Sequence, residues 1–208
     1  MTGQAGAVEV LERTGRRVVV RRATRETTVA LTLDLDGSGS ANVRTGVGFF
    51  DHLLSTLAHH ALLDLEIGTT GDLEVDDHHT VEDTALVLGA AFAEALGDRA
   101  GIARFGDASV PMDEALGFAT VDVGGRPYAV IELPFRGERA GELTLQNVEH
   151  ALEAFARTAG VTLHVRAAGR NDHHIAEAAF KSLARALRAA IAPDPRRSGV
   201  ASTKGSLG

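Results

Sequence analysis

"DHLLSTLAHHALLDLEI", residues 51–67, and "EHALEAFARTAGVTLHV", residues 149–165, align without a gap. The alignment sets His52 opposite His150 and Leu65 opposite Leu163. In each stretch a helix-spaced apolar pattern gives way to the alternation of a strand with one buried face. A second pair of phrases follows them, "DHHTVE" at 77–82 and "DHHIAE" at 172–177. From His52 to His78 is 26 residues, and from His150 to His173 is 23. The same order of helix, strand and helix thus occurs twice, which reads as an internal duplication.

Working outward, "VVVRR" and "TVALTLDLD" before the first copy are strand-like, with Val29, Leu31, Leu33 and Leu35 on one face. Helices are predicted over Phe49–Ala61 and His78–Leu96, the second stopped by Gly97. In the second half "ALGFATVDV" and "YAVIELPF" precede a helix at about Thr144–Thr158, ended by Gly160. "VTLHVRA" is the next strand, and a helix over Asp172–Ile191 ends before Pro193 and Pro195. The expected fold is α+β with two similar halves, each a sheet covered on one side by two helices. The expected divisions are a loose N-terminal arm (1–15), a first half (16–100), a second half (101–192) and a Gly/Ser tail (193–208).

Composition narrows the function classes. Hydrophobic residues make up 44% of the 208 and charged residues 24%, enough for a buried core. A balance of 21 basic and 28 acidic residues, net −7, argues against a general nucleic-acid surface and leaves room only for a local basic pocket. No cysteine is present, which excludes disulfides and thiolate-bound metals. The opening "MTGQAGAVEVLERTGRR" lacks the apolar core of a secretion signal, and "ALVLGAAFA" is too short to span a bilayer, so a cytoplasmic location is expected.

Six of the nine histidines fall in equivalent places: His52, His78 and His79, then His150, His173 and His174. Glu82 and Glu177 each stand four residues after the first histidine of a pair, on the same helix face. Adjacent helical residues point about 100° apart, so His79 and His174 must look elsewhere. The simplest partition has two metal sites, one of His78, Glu82, His150 and His174, the other of His173, Glu177, His52 and His79. If the halves do not reach one another, ligands come from neighbouring subunits. A single HHxxE is more often a solvated or capping feature than a ligand pair. Two copies, each preceded by a third histidine, are not explained that way. His59, His60 and His164 have no such symmetry and read as packing or surface residues. Imidazole-rich sites suit zinc, iron, cobalt or nickel, and the residues alone do not choose manganese.

At these motifs the chain resembles the imidazoleglycerol-phosphate dehydratase family. The resemblance runs through "RATRET" (22–27), "GVGFFDHLLSTLAHHALLDLEI" (46–67), "GDLEVDDHHTVEDTALVLGAAFAEALGDRAGIARFG" (71–106), "PMDEAL" (111–116), "GRPY" (125–128), "GRNDHHIAEAAFKSLARAL" (169–187) and "STKG" (202–205). It implies halves of four strands and two helices, like domain 2 of ribosomal protein S5, and 24 subunits assembled from trimers. It also implies two manganese ions per active site at subunit contacts. The implied reaction is dehydration of imidazole glycerol phosphate to imidazole acetol phosphate, through an imidazolate and a diazafulvene-like intermediate. Glu26 is the implied general base and Glu177 a second candidate. Arg104, Arg126, Ser202 and Lys204 match the family's phosphate-binding positions, so the tail is expected to order over the phosphate. Two departures stand out: Thr56, where many members carry glutamine, and a tail without the proline that often precedes Ser-Thr-Lys. A metallohydrolase is disfavoured by the absence of HExxH and of a carboxylate-rich bundle. A metal store would not need Arg104, Arg126 and Lys204.

Overall fold

The computed structural model describes residues 6–207. The first half runs β1 (Glu9–Thr14), β2 (Arg17–Ala23), β3 (Thr27–Asp34), β4 (Ala41–Arg44), α1 (Gly48–Ala61), β5 (Asp64–Gly71) and α2 (His78–Leu96). The second runs β6 (Phe105–Met112), β7 (Ala115–Asp122), β8 (Tyr128–Glu132), the short β9 (Arg139–Ala140) and β10 (Leu143–Thr144), α3 (Gln146–Ala159), β11 (Thr162–Ala168) and α4 (Asp172–Ile191). The sheets have the orders β1-β2-β3-β5-β4 and β6-β7-β11-β8. In both, the strand after the first helix of the half pairs in parallel with one neighbour, β5 with β4 and β11 with β8, while the remaining pairs of these sheets are antiparallel. Removing β1 makes the two sheets the same, so the duplication extends to topology.

Three strands of the two main sheets depart from the sequence reading, and the two-residue β9 and β10, the latter at the start of the predicted Thr144–Thr158 helix, were not read at all. Residues 9–14, expected in a loose arm, form the edge strand β1 against β2; all six are exposed, so no alternation marked it. Residues 1–5 of that arm lie outside the described residues. The four-residue β4 was too short to read. In β6, "FGDASVPM", the inward face is Gly106, Ala108, Val110 and Met112, and only Gly106 is fully buried; α4 lies over it so closely that an added Cβ would clash with the Ala186 carbonyl. Pro111 is tolerated because β6 is an edge.

The halves meet through their helices. α2 packs on α3 and α1 on α4, with Phe50, Leu54, Leu88, Leu152, Phe155 and Leu183 at the junction. Gly89 permits the α2–α3 approach: a Cβ there would meet the Phe155 carbonyl oxygen at 2.6 Å. The duplication also shows at the helix ends. Leu62 closes α1 and its counterpart Gly160 closes α3, both in the left-handed region at φ of 57° and 62°. Among the described residues no helix is long and apolar enough to cross a membrane.

Candidate metal centres and phosphate cleft

Both histidine pairs stand in the first turn of a long helix. The Asp76 side chain accepts from the His78 amide at 2.8 Å, and Asn171 caps α4 by accepting from the His173 amide at 3.0 Å. Those contacts at the helix starts fix where the i,i+4 carboxylates fall. At the start of α2, His78 Nε2 lies 3.8 Å from Glu82, and His150 from α3 reaches the same carboxylate at 3.2 Å. The two imidazoles stack with centroids 4.9 Å apart. At the start of α4, His52 Nε2 from α1 and His173 Nε2 both approach Glu177 Oε1 at 2.9 Å. In each cluster the three potential ligand atoms lie within 4.8 Å of one another, and each draws on both halves of the chain.

The third histidine of each expected set is not there. His79 turns to Asp72, which takes its Nδ1 at 3.0 Å, and His174 turns to Glu114, which takes its Nδ1 at 2.8 Å. Within one chain the clusters therefore hold three members each, His78–Glu82–His150 and His52–His173–Glu177. His79 and His174 are each clamped at Nδ1, the arrangement that orients a metal-binding imidazole; Nε2 of His174 lies 3.8 Å from Asp113. His78 has the same device, its Nδ1 lying 3.2 Å from Asn147 Oδ1. Two imidazoles and a carboxylate, with one further imidazole available, suit a divalent ion with positions open to ligand. The donor set fits the implied metal.

Electrostatics differ between the clusters. Burial pushes the Glu177 carboxyl upward, but bonds from Lys181, His52 and His173 outweigh it and hold it at about 2. Glu82 is more open, and its cation partner is the exposed Arg157 at 3.2 Å. The hydrogen bond from His174, with amides of Arg170 and Asn171, brings Glu114 to about 2. Donating to Glu114 and to Asp72 raises His174 and His79 in turn. Sequence reasoning missed Asp72, Glu114, Asn147 and Lys181. Only Lys181, four residues after Glu177, had a spacing that could have marked it.

Arg104, Arg126, Ser202 and Lys204 line one cleft of about 330 Å³. Arg104 is already engaged: Nε and Nη2 fork onto Asp122 at 2.6 and 2.9 Å, and Nη1 donates to the Ala201 carbonyl at 2.6 Å. Arg126 is freer, 3.5 Å from Asp122 and 60% exposed. Backbone pairing of the tail with Ala100–Ile102 seats it here. Thr56, the departure noted above, is buried in α1 and lines no part of the cleft. The Arg104 amide donates to Ala190 near the end of α4, whereas Glu177 is near its start. The thirteen residues between Glu177 and Ala190 span about 20 Å of helix. On α3 the nine residues from His150 to Ala159, on the cleft side, span about 14 Å. Cleft and metal clusters of one chain are thus far apart.

The family model described as imidazoleglycerol-phosphate dehydratase matches residues 45–187. The chain belongs to that family. The dehydratase from Methanoculleus marisnigri is 54% identical over 188 residues, covering 90% of this chain and 97% of that one. The Gluconacetobacter diazotrophicus dehydratase is 52% identical, covering 93% and 99%. Solved imidazoleglycerol-phosphate dehydratases from Pyrococcus furiosus and Staphylococcus aureus superpose with TM-scores of 0.78 and 0.76 at 34% and 32% identity. They cover 90% and 84% of this chain and 99% and 98% of their own. Membership makes the chain a hydro-lyase of histidine biosynthesis, and its α+β fold is the family's. The matched residues contain both histidine–glutamate clusters, Arg104 and Arg126; Glu26, Ser202 and Lys204 fall outside them.

Proposed function

We propose that this dehydratase converts imidazole glycerol phosphate to imidazole acetol phosphate with two manganese ions per active site. His78, Glu82, His150 and a neighbour's His174 would hold one ion, and His52, His173, Glu177 and a neighbour's His79 the other. The observation that carries the reading is the pair of equivalent three-member clusters beside two imidazoles each clamped on Nδ1. When bound, the ions would supply positive charge to the substrate's imidazole ring, which would ease loss of the hydroxyl from the attached carbon. Glu26 takes the proton from the next carbon, giving an enol that tautomerises to the ketone. Both oxygens of Glu177 are occupied, Oε1 by His52 and His173 and Oε2 by Lys181, which favours Glu26 as base. The Glu26 side chain has no hydrogen-bond partner among the described residues and is close enough to His79 to raise it.

Arg126 and Lys204, with Arg104 and Ser202, hold the phosphate. A substrate with three carbons between ring and phosphate does not bridge about 20 Å of helix. The reading therefore requires that one subunit's cleft serve another's clusters, in keeping with a 24-mer built from trimers in the cytoplasm. The test is ketone formation by metal-stripped protein with and without manganese, with bound metal measured alongside. Turnover restored by manganese supports the reading. Full turnover by stripped protein, or none with metal bound, overturns it.

A further inference from the structure

The hairpin that carries Glu26 is held from behind by a group the reaction does not use. Asp83, on α2 and only 7% exposed, accepts a hydrogen bond from the Thr27 hydroxyl and forms an ion pair with Arg22. Those two residues bracket the β2–β3 turn. Within the turn, Thr24 Oγ1 accepts from the amides of Glu26 and Thr27 at 3.1 and 2.9 Å. Arg22 also donates through Nε to the Gly6 carbonyl at 2.8 Å. One buried carboxylate thus fixes both ends of the turn to the helix that bears His78, His79 and Glu82 near its start.

The other half solves the same problem differently. Its corresponding hairpin joins β6 to β7, and the residue standing where Asp83 stands, five after the first paired histidine, is Ala178. There the turn's own acid does the holding: Glu114 accepts from the amides of Arg170 and Asn171 at 3.0 and 2.8 Å and from His174. A turn acid used as an anchor is not available to the substrate. Burying a charge costs several kcal/mol unless it is well paired, so an apolar residue is the cheaper filler, as Ala178 shows. The charge is present only in the half whose turn acid is left free.

We propose that Asp83 is a positioning residue for Glu26, fixing the β2–β3 turn against α2 so that the unpaired carboxylate stands beside the metal-binding face. The proposal rests on the reading of Glu26 as the base. A displacement of about 1 Å in such a group costs up to about a hundredfold in turnover.

The experiment is a double-mutant cycle on the assembled, manganese-loaded enzyme, with kcat, KM, bound manganese and melting temperature read for each variant. Glu26→Gln is expected to lower kcat by about a hundredfold or more. Asp83→Asn is expected to lower kcat about tenfold or more with KM and manganese content unchanged. The double variant is expected to match Glu26→Gln within about twofold, because a misplaced base and an absent one cannot both be lost. If Asp83→Asn instead lowers kcat by the same factor with and without Glu26, it acts elsewhere and the proposal is overturned while Glu26 stands. If Glu26→Gln keeps full turnover, the base assignment falls and this one with it. Thr27→Val, which leaves the Asp83–Arg22 pair intact, gives the same cycle should Asp83→Asn not fold. Thr27→Ser is expected to restore turnover, and its failure to exceed Thr27→Val overturns the proposal.

Discussion

Replacing Arg126 by alanine separates phosphate recognition from the rest of the cleft. Arg104 is 11% exposed with three of its nitrogens committed to Asp122 and the tail, so its loss would unseat the tail as well. Arg126 is exposed and touches Asp122 only at 3.5 Å, so removing it should leave the fold unchanged. A hydrogen bond to a charged group contributes about 1.5–3 kcal/mol, and exposure puts this one at the lower end. About 1.5 kcal/mol corresponds to about tenfold in affinity. Arg126→Ala is therefore expected to raise KM for imidazole glycerol phosphate about tenfold, with kcat within about twofold. The assay is steady-state ketone formation at two salt concentrations, with the dephosphorylated alcohol as comparison substrate. The contrast with wild type should shrink at high salt and vanish for the dephosphorylated alcohol. A KM change below about twofold, or an equal change for both substrates, would refute the assignment of Arg126 to the phosphate.

Two structural predictions follow from the same geometry. Gly89→Ala should gain about 1 kcal/mol of helix propensity yet destabilise the protein by about 2 kcal/mol net, because the new Cβ meets the Phe155 carbonyl and backbone must move; a melting temperature at or above wild type would refute it. Asp64 Oδ1 accepts from the amides of Ser38, Gly39 and Ser40, with the Ser40 amide the main cause of a carboxyl held below its ordinary value. A depressed acid stabilises above its unfolded pKa of about 3.9 and loses that contribution as pH falls through the folded value. Asp64→Asn should accordingly speed hydrogen exchange at Ser38–Ser40 at neutral pH and converge with wild type under acid; equal exchange at neutral pH would count against the anchor.

What was legible in the sequence was what the duplication had written twice. The four helices were readable because apolar spacing, Gly160 and Pro193 mark them, and their starts at His78 and Asp172 were met to the residue. The histidine clusters followed from i,i+4 geometry, which fixes His78 with Glu82 and His173 with Glu177. Partners chosen by tertiary contact left no such trace. Asp72 and Glu114 come from a strand end and a hairpin turn, and no spacing relates them to the histidines they hold. β6 was missed because helix backbone covers its glycine, so burial there needed no large side chain.

The two halves have kept their candidate ligands and diverged in what surrounds them. Glu177 is buried and neutralised by Lys181, while Glu82 faces the more exposed Arg157. One hairpin acid is tied to backbone amides, and the other is released by the buried charge of Asp83. Similar sites suit a substrate ring with two similar nitrogens, whereas dehydration removes a proton from one carbon only and needs one base. A strictly symmetric duplication would supply two bases or two anchors. The hairpins carry one tied acid, Glu114, and one free acid, Glu26, and under the proposed reading the single proton transfer takes place at the free one.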